Sequence, residues 1–277
     1  MKILVFVKQV PDTDDVKLDP RTGNLMRDGV ESVINPFDAN GVEAALQLKA
    51  QCGGQVVAVS MGPPQADDVL KKALAMGCDE SVLLSDRALG GADTLATGYT
   101  LAKAAEKIGD YDLLICGRHA TDAETAQTGP IIAAFLGIPQ VTLVDRVSLE
   151  DGYAVCRRLL PDRYETVRVK LPALITVCGE INTPRYPTPI NIMKALKKPR
   201  AVWNCADLGC DMSMVGAAGE MPTEDMQRFQ QLASLLYMNS DVQAYLMAEM
   251  QMQKTLADIF KILTEAAGIR FDVPDKQ

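Results

Sequence analysis

Five short apolar runs, KILVFV (2–7), QVVAVS (55–60), SVLL (81–84), DLLIC (112–116) and QVTLV (140–144), recur along the first half of the chain. Helical patterns fill the spaces between most of them, and each stops at glycine: 38–51 at Gly53-Gly54, 65–76 at Gly77, 93–108 at Gly109, and about 124–136 at Gly137. Short continuous apolar runs suit strands that are buried on both faces. The alternation therefore predicts an α/β fold, a mostly parallel sheet with helices on both faces. Ligands of such sheets bind beyond the carboxyl ends of the strands. The loops to inspect are 8–20, 61–64, 85–93 and 117–125.

The pattern changes after about residue 145. Segments 153–159, 164–170 and 173–178 are strand-like with no long helix between them, which predicts an antiparallel extension of the same sheet. The stretch EINTPRYPTPINIMKALKKPR follows, with Pro184, Pro187, Pro189 and Pro199. Proline at this density excludes a helix interior or central strand, so an exposed extended loop is expected, then a short basic helix near 190–197. Farther on, 241–267 reads as one amphipathic helix, with Ser240 and Gln243 in a capping-box pattern and Gly268 after its end. The expected organisation is an α/β domain over 1–220 and a helical arm over 221–277.

Composition excludes several classes. Apolar residues make up 48% of the 277, enough for a sizeable core, and no run has the length of a membrane span. The opening MKILVFVKQV is too short in its apolar part for a secretory leader, and a cytoplasmic protein is expected. A net charge of −8 disfavours nucleic acid and anionic membranes as partners. The seven cysteines are odd in number and form no CxxC pair, and there is a single histidine. Buried reduced thiols are the expected reading, and a metal centre is not.

The most concentrated chemistry lies in GRHATDAETAQTGP (117–130). His119 with Asp122 or Glu124 would make a base and its partner, but no serine or cysteine nucleophile stands in an elbow beside them. The second reading is a phosphate or ribose cradle. Gly117 admits a close backbone approach, Thr121, Thr125 and Thr128 offer hydroxyls, and a helix start near Asp122 or Ala123 presents N–H groups to an anion. The third is an ordinary helix cap with Asp122 as the capping residue. SDRALGGADTLAT (85–97) and NPFD (35–38) have similar turn chemistry before helices, and the first is no P-loop because no Gly-Lys-Ser/Thr follows. A nucleotide is long enough to need several such loops.

These pieces, in order, resemble the β subunit of electron-transfer flavoproteins over roughly residues 1 to 200. The matching stretches are VKQVPDT (7–13), INPFD (34–38), VSMGPP (59–64), LAMGCDE (74–80), SDRALGGADTLAT, GRHATDAETAQTGP, ETVRVKLPALITV (165–177) and PRYPTPINIMKA (184–195). The resemblance implies an adenine nucleotide α-hydrolase-like fold, a heterodimer with an α subunit, and no bond chemistry on this chain. It makes 117–128 the cradle of an adenine nucleotide, formed by Gly117, Arg118, His119, Thr121, Asp122 and Ala123, and on through Glu124, Thr125, Ala126, Gln127 and Thr128. Phe6, Val7 and Lys8, then Asn35, Asp38 and Met61, and Asp93, Thr94 and Thr97 complete the expected site. His119 is then a lining residue, at a place where the family usually has Gln.

Family members divide by what fills this cradle: AMP in simple carriers, a second FAD in flavin-bifurcating members. VPDT after the first strand and SDRALGGADTLAT look like the bifurcating type. That implies FAD with NADH as electron donor, ferredoxin or flavodoxin as one acceptor, and the α-subunit FAD serving an acyl-CoA dehydrogenase-type enzyme as the other. The alternative is a non-bifurcating carrier with structural AMP. The proline-rich stretch, 182–198, is similar to the family's docking loop, with Arg185, Tyr186, Pro189, Ile190 and Met193 as expected contacts; Pro189-Ile190 stands where a Leu-Pro step is common. A lone regulatory nucleotide-binding protein would need neither this loop nor the C-terminal arm, and a hydrolase would need a nucleophile or a metal. Deletion of 241–277 is expected to weaken assembly with the α subunit, and gel filtration showing unchanged heterodimer would overturn that assignment.

Overall fold

In a computed structural model, which describes residues 1–12 and 32–216, the apolar runs become the inner strands of one sheet. The described residues belong to the compact unit Met1–Gly219; the second unit, Glu220–Gln277, lies outside them. So do the part of the first loop from residue 13 and the expected helix at 241–267.

The chain begins with β1 (Lys2–Phe6), a short antiparallel pair β2 (Gln9–Pro11) and β3 (Ser32–Ile34), and α1 (Pro36–Cys52). Next come β4 (Gln55–Met61), α2 (Asp67–Met76), β5 (Glu80–Leu84), α3 (Thr94–Ile108), β6 (Leu113–Gly117) and α4 (Thr128–Leu136). The remainder is β7 (Gln140–Glu150), β8 (Tyr153–Leu159), β9 (Tyr164–Lys170), β10 (Ala173–Val177), α5 (Pro189–Ala195), β11 (Arg200–Trp203) and α6 (Cys205–Leu208). Local chemistry sets the ends. Pro36 occupies the first turn of α1, where its missing N–H costs nothing, and Gly53 at φ 72° ends that helix. The Asp93 carboxylate accepts the Ala96 N–H at 2.8 Å and caps α3.

The nine-stranded sheet has the order β11-β5-β4-β1-β6-β10-β7-β8-β9. It is parallel from β11 to β7, and β8 and β9 extend it antiparallel. Period-two alternation divides each inner strand between two cores. Ile3 and Val5 of β1 pack with Val42, Leu46, Leu70 and Leu74 on the α1/α2 face. Leu4 and Phe6 pack with Leu101, Ala105, Leu114 and Ile132 on the α3/α4 face. The mostly parallel α/β fold with an antiparallel extension is therefore observed.

Three details differ from the sequence reading. The segment expected as a third extension strand, 173–178, is instead β10, a central parallel strand between β6 and β7. Its five residues are all buried, the signature of a two-face strand. The hairpin β2–β3 and the edge strand β11 were not expected; each is only three or four residues long, too short to show a period. The helix expected from 124 starts at Thr128, so neither Asp122 nor Ala123 marks its N-terminus.

Helices α3 and α4 meet at Gly98, where an added Cβ would lie 2.3 Å from Ile131 Cγ2. The χ1 of Ile131 is stiff, so α4 itself must move. Gly98→Ala gains about 1 kcal/mol of helix propensity against about 1–3 kcal/mol of overpacking. A net loss of stability in urea unfolding is expected, and a gain would show that the helices can separate at no cost.

Candidate functional site

Strands β4, β1 and β6 end side by side, and the chain leaves β1 and β6 toward opposite faces of the sheet. A crevice opens where adjacent strands part in this way. Asp38, in the first turn of α1, spans the gap. Its carboxylate accepts the Lys8 N–H at 2.8 Å and the Gly117 N–H at 3.1 Å, joining the ends of β1 and β6. Only glycine fits at 117, because a Cβ there would stand 2.4 Å from Asp38 Oδ1. Asn35, fully buried, does similar work one turn earlier. Its amide donates to the His119 carbonyl at 2.9 Å, and its Oδ1 accepts the Thr121 N–H at 3.3 Å.

The Lys8 ammonium reaches Asp122 Oδ1 at 2.7 Å. Asp122 is therefore an ion-pair partner and not a helix cap, which corrects the third sequence reading. From Asp122 the loop runs exposed to Gln127. Glu124 and Ala126 take left-handed φ values of 51° and 55°. Side chains with a Cβ adopt that region at a cost of about 1–3 kcal/mol each, and such alternation turns successive N–H groups to one side as an anion nest. Among the described residues, no acceptor faces the N–H groups of Thr125, Ala126 and Gln127. They precede the N-terminus of α4, so dipole and donors favour the same negative charge.

Thr94, at the start of α3, donates its hydroxyl to Gln127 Oε1 at 3.2 Å and draws the 85–97 loop to this rim. Asp93 is engaged as the cap of α3, and Thr97 lies half-buried one turn inward. Met61 is half-buried at the end of β4. The side chains of Phe6 and Val7 are buried in the two cores, so these residues offer a ligand their backbone alone. His119 stacks against Phe37 with centroids 4.6 Å apart, and Arg118 lies 4.7 Å over the same ring. Arg118 Nε is buried, with no hydrogen-bond acceptor of good geometry among the described residues and the Cys178 thiol beside the guanidinium. Among those residues there is no cluster suited to a metal ion. All seven cysteines are unpaired, and six of them are buried or half-buried.

The second predicted surface lies on α5 and the segment before it. Tyr186, Ile190 and Met193 are 93%, 65% and 71% exposed, and Pro189 is exposed beside them. Ile192 and Leu196 extend the apolar patch and were missed, although their spacing in a basic helix was a readable signal. Arg185 is anchored as well: its guanidinium engages Glu43 at 2.7 and 2.9 Å, while its side chain stays 47% exposed.

The family model described as electron transfer flavoprotein domain matches residues 22–208. The chain belongs to the electron transfer flavoprotein family. Within it, the β-subunit branch is indicated by a 49% identity over 224 residues to electron transfer flavoprotein subunit beta of Clostridium acetobutylicum, covering 81% of this chain and 86% of that protein. Caffeyl-CoA reductase-Etf complex subunit CarD of Acetobacterium woodii is 47% identical over 230 residues, 83% of this chain and 87% of that one. Acryloyl-CoA reductase electron transfer subunit gamma of Anaerotignum propionicum is 43% identical over 206 residues, 73% and 77% of the two chains. A second model, control of competence regulator ComK, YlbF/YmcA, matches 207–267, a stretch mostly outside the described residues.

In this electron transfer flavoprotein chain, Asp38 makes the site sensitive to pH. Burial pushes its carboxyl from 3.8 up to about 7, offset in part by the Asn35 side chain, the Lys8 and Gly117 N–H groups and the Lys8 charge. Between those two values the folded protein holds a proton that the unfolded chain has lost, so stability from this group falls as pH rises from 3.8 to about 7 and is level above. Asp38→Asn mimics the protonated form. The stability of wild type relative to that variant should therefore decline across this window in urea unfolding, and a constant difference would show Asp38 ionised throughout.

Proposed function

We propose that this chain is the β subunit of a heterodimeric, flavin-bifurcating electron transfer flavoprotein that binds FAD in the crevice between β1 and β6. The observation that carries the reading is the loop from Asp122 to Gln127. It holds two strained left-handed residues and, at the crevice mouth, three backbone donors that find no acceptor among the described residues. An adenine nucleotide supplies what these groups lack. The N–H groups of Thr125, Ala126 and Gln127 would receive phosphate oxygens, with the hydroxyls of Thr94, Thr97 and Thr128 at the same rim. Lys8 keeps Asp122 fixed, and Asn35 and Asp38 hold the loop's beginning against β1. Arg118 offers its Nε to an oxygen or nitrogen of the group.

FAD bound here would supply two-electron chemistry with NADH as donor. In this proposal one electron goes to ferredoxin or flavodoxin, and the other passes to an FAD of the α subunit serving an acyl-CoA dehydrogenase-type enzyme, in the cytoplasm. The names of the relatives in caffeyl-CoA and acryloyl-CoA reductase complexes support that partner class. The chain's own part is binding, orientation and docking, with Tyr186, Ile190 and Met193 as partner contacts and 221–277 as the arm that contacts the α subunit.

A second reading keeps the fold and replaces FAD by AMP. It is favoured by the N–H groups before α4, which the single phosphate of AMP would also satisfy. Nucleotides released by denaturing the purified heterodimer separate the two. Two FAD and no AMP are expected; one FAD and one AMP would make this chain a structural partner and overturn bifurcation.

A further inference from the structure

Helix α1 carries two groups of buried polar side chains, and only the first belongs to the crevice. Asp38, with Asn35 just before the helix, faces β1 and β6. Asn40 and Glu43, both buried in a helix that is otherwise largely apolar, face the segment that leads into α5. Asn40 donates its amide to the Asn182 carbonyl at 2.8 Å, and Asn182 returns an amide hydrogen bond to the Asn40 carbonyl at 3.1 Å. Three residues on, Glu43 takes both arms of the Arg185 guanidinium at 2.7 and 2.9 Å, with the Arg185 N–H at 3.3 Å. Gln47 adds a fourth donor to the same carboxylate at 3.0 Å. Burial would raise the Glu43 carboxyl, but these partners outweigh it and hold it below its usual range.

The other end of the segment is fastened too. Lys198 donates to the Leu74 carbonyl at 3.0 Å and to the Cys78 carbonyl, closing the C-terminus of α2. Between these fixings, Thr188 caps α5 by accepting the Asn191 N–H at 3.2 Å. A segment with three prolines, Pro184, Pro187 and Pro189, has few backbone hydrogen bonds of its own and must borrow rigidity. A bidentate guanidinium–carboxylate pair supplies it with direction as well as strength.

We propose that Glu43, Arg185 and the Asn40–Asn182 pair are positioning residues for partner recognition. They fasten the docking segment to the helix whose first turn builds the crevice, so that Tyr186, Ile190 and Met193 are presented in one orientation. This rests on the docking role given to that segment above. A pre-set surface binds more tightly because less ordering remains to be done on contact.

The test uses the intact heterodimer with its cofactors and an acyl-CoA dehydrogenase that the wild type reduces. Arg185→Lys keeps the charge and loses the fork. The double variant Glu43→Gln/Arg185→Gln leaves no unpaired buried charge and stays foldable. Both should raise the KM for the dehydrogenase about five- to thirty-fold, with kcat at saturation and nucleotide content unchanged. Hydrogen exchange should quicken in 183–190 and nowhere else. Ile190→Ser and Met193→Ser report on docking itself. If they raise KM while the clamp variants do not, positioning is overturned and docking stands. If they leave KM unchanged, the docking role is lost and the positioning role falls with it. A fall in nucleotide content or kcat in the clamp variants would make the pair a general structural element and overturn the proposal.

Discussion

The Asp38 carboxylate joins two parallel strands at the point where they stop joining each other. Beyond Val5 and Ile115 the β1–β6 register ends, and the backbone donors at Lys8 and Gly117 would face a gap. A single side chain fills it with one acceptor oxygen for each donor. The crevice is the remaining space. Its width depends on α1 staying where Pro36 and the apolar face of the helix place it, and its far wall depends on Gly117 having no side chain. The ligand loop hangs from this arrangement through Asn35 and the Lys8–Asp122 pair, so the carboxylate's burial is a condition of the site and not an incidental cost.

The same helix connects the crevice with the exposed surface of α5. Its apolar residues pack on the sheet, its first turn holds the crevice, and its second and third turns hold the segment that leads into α5. A helix buried among apolar neighbours can carry polar groups only where each finds a partner. Apart from Gln47, the side-chain partners of Asn40 and Glu43 are supplied by residues more than a hundred positions later in the chain. The helix is therefore short of partners until that later segment arrives.

Much of this fold was legible in the sequence because the sheet is buried on both faces. Continuous apolar runs and glycine stops marked β1, β4, β5, β6 and the helices between them. The place of β10 was not legible: adjacency in sequence suggested a hairpin with β9, while full burial on both faces set it in the centre. Site residues were named from resemblance, but their roles came from geometry. Asp122 looked like a cap because it precedes a helix, and the helix begins later because Glu124 and Ala126 turn the chain left-handed first. The anchoring of Arg185 was not legible either, because Glu43, which engages it, gave no sign beyond its place among apolar residues.

Strand β10 is hydrogen-bonded to both β6 and β7, though three strands separate it from β6 in sequence and two from β7. During synthesis β6 therefore remains an edge until residue 177 has emerged, with its far row of backbone groups open to other chains. The antiparallel β7–β8–β9 unit can form from local pairings in that interval, whereas the half of the crevice that leans on β6 has to await a non-local one. The peripheral extension thus comes first, and the β6 wall of the crevice is among the last parts of the sheet to be secured.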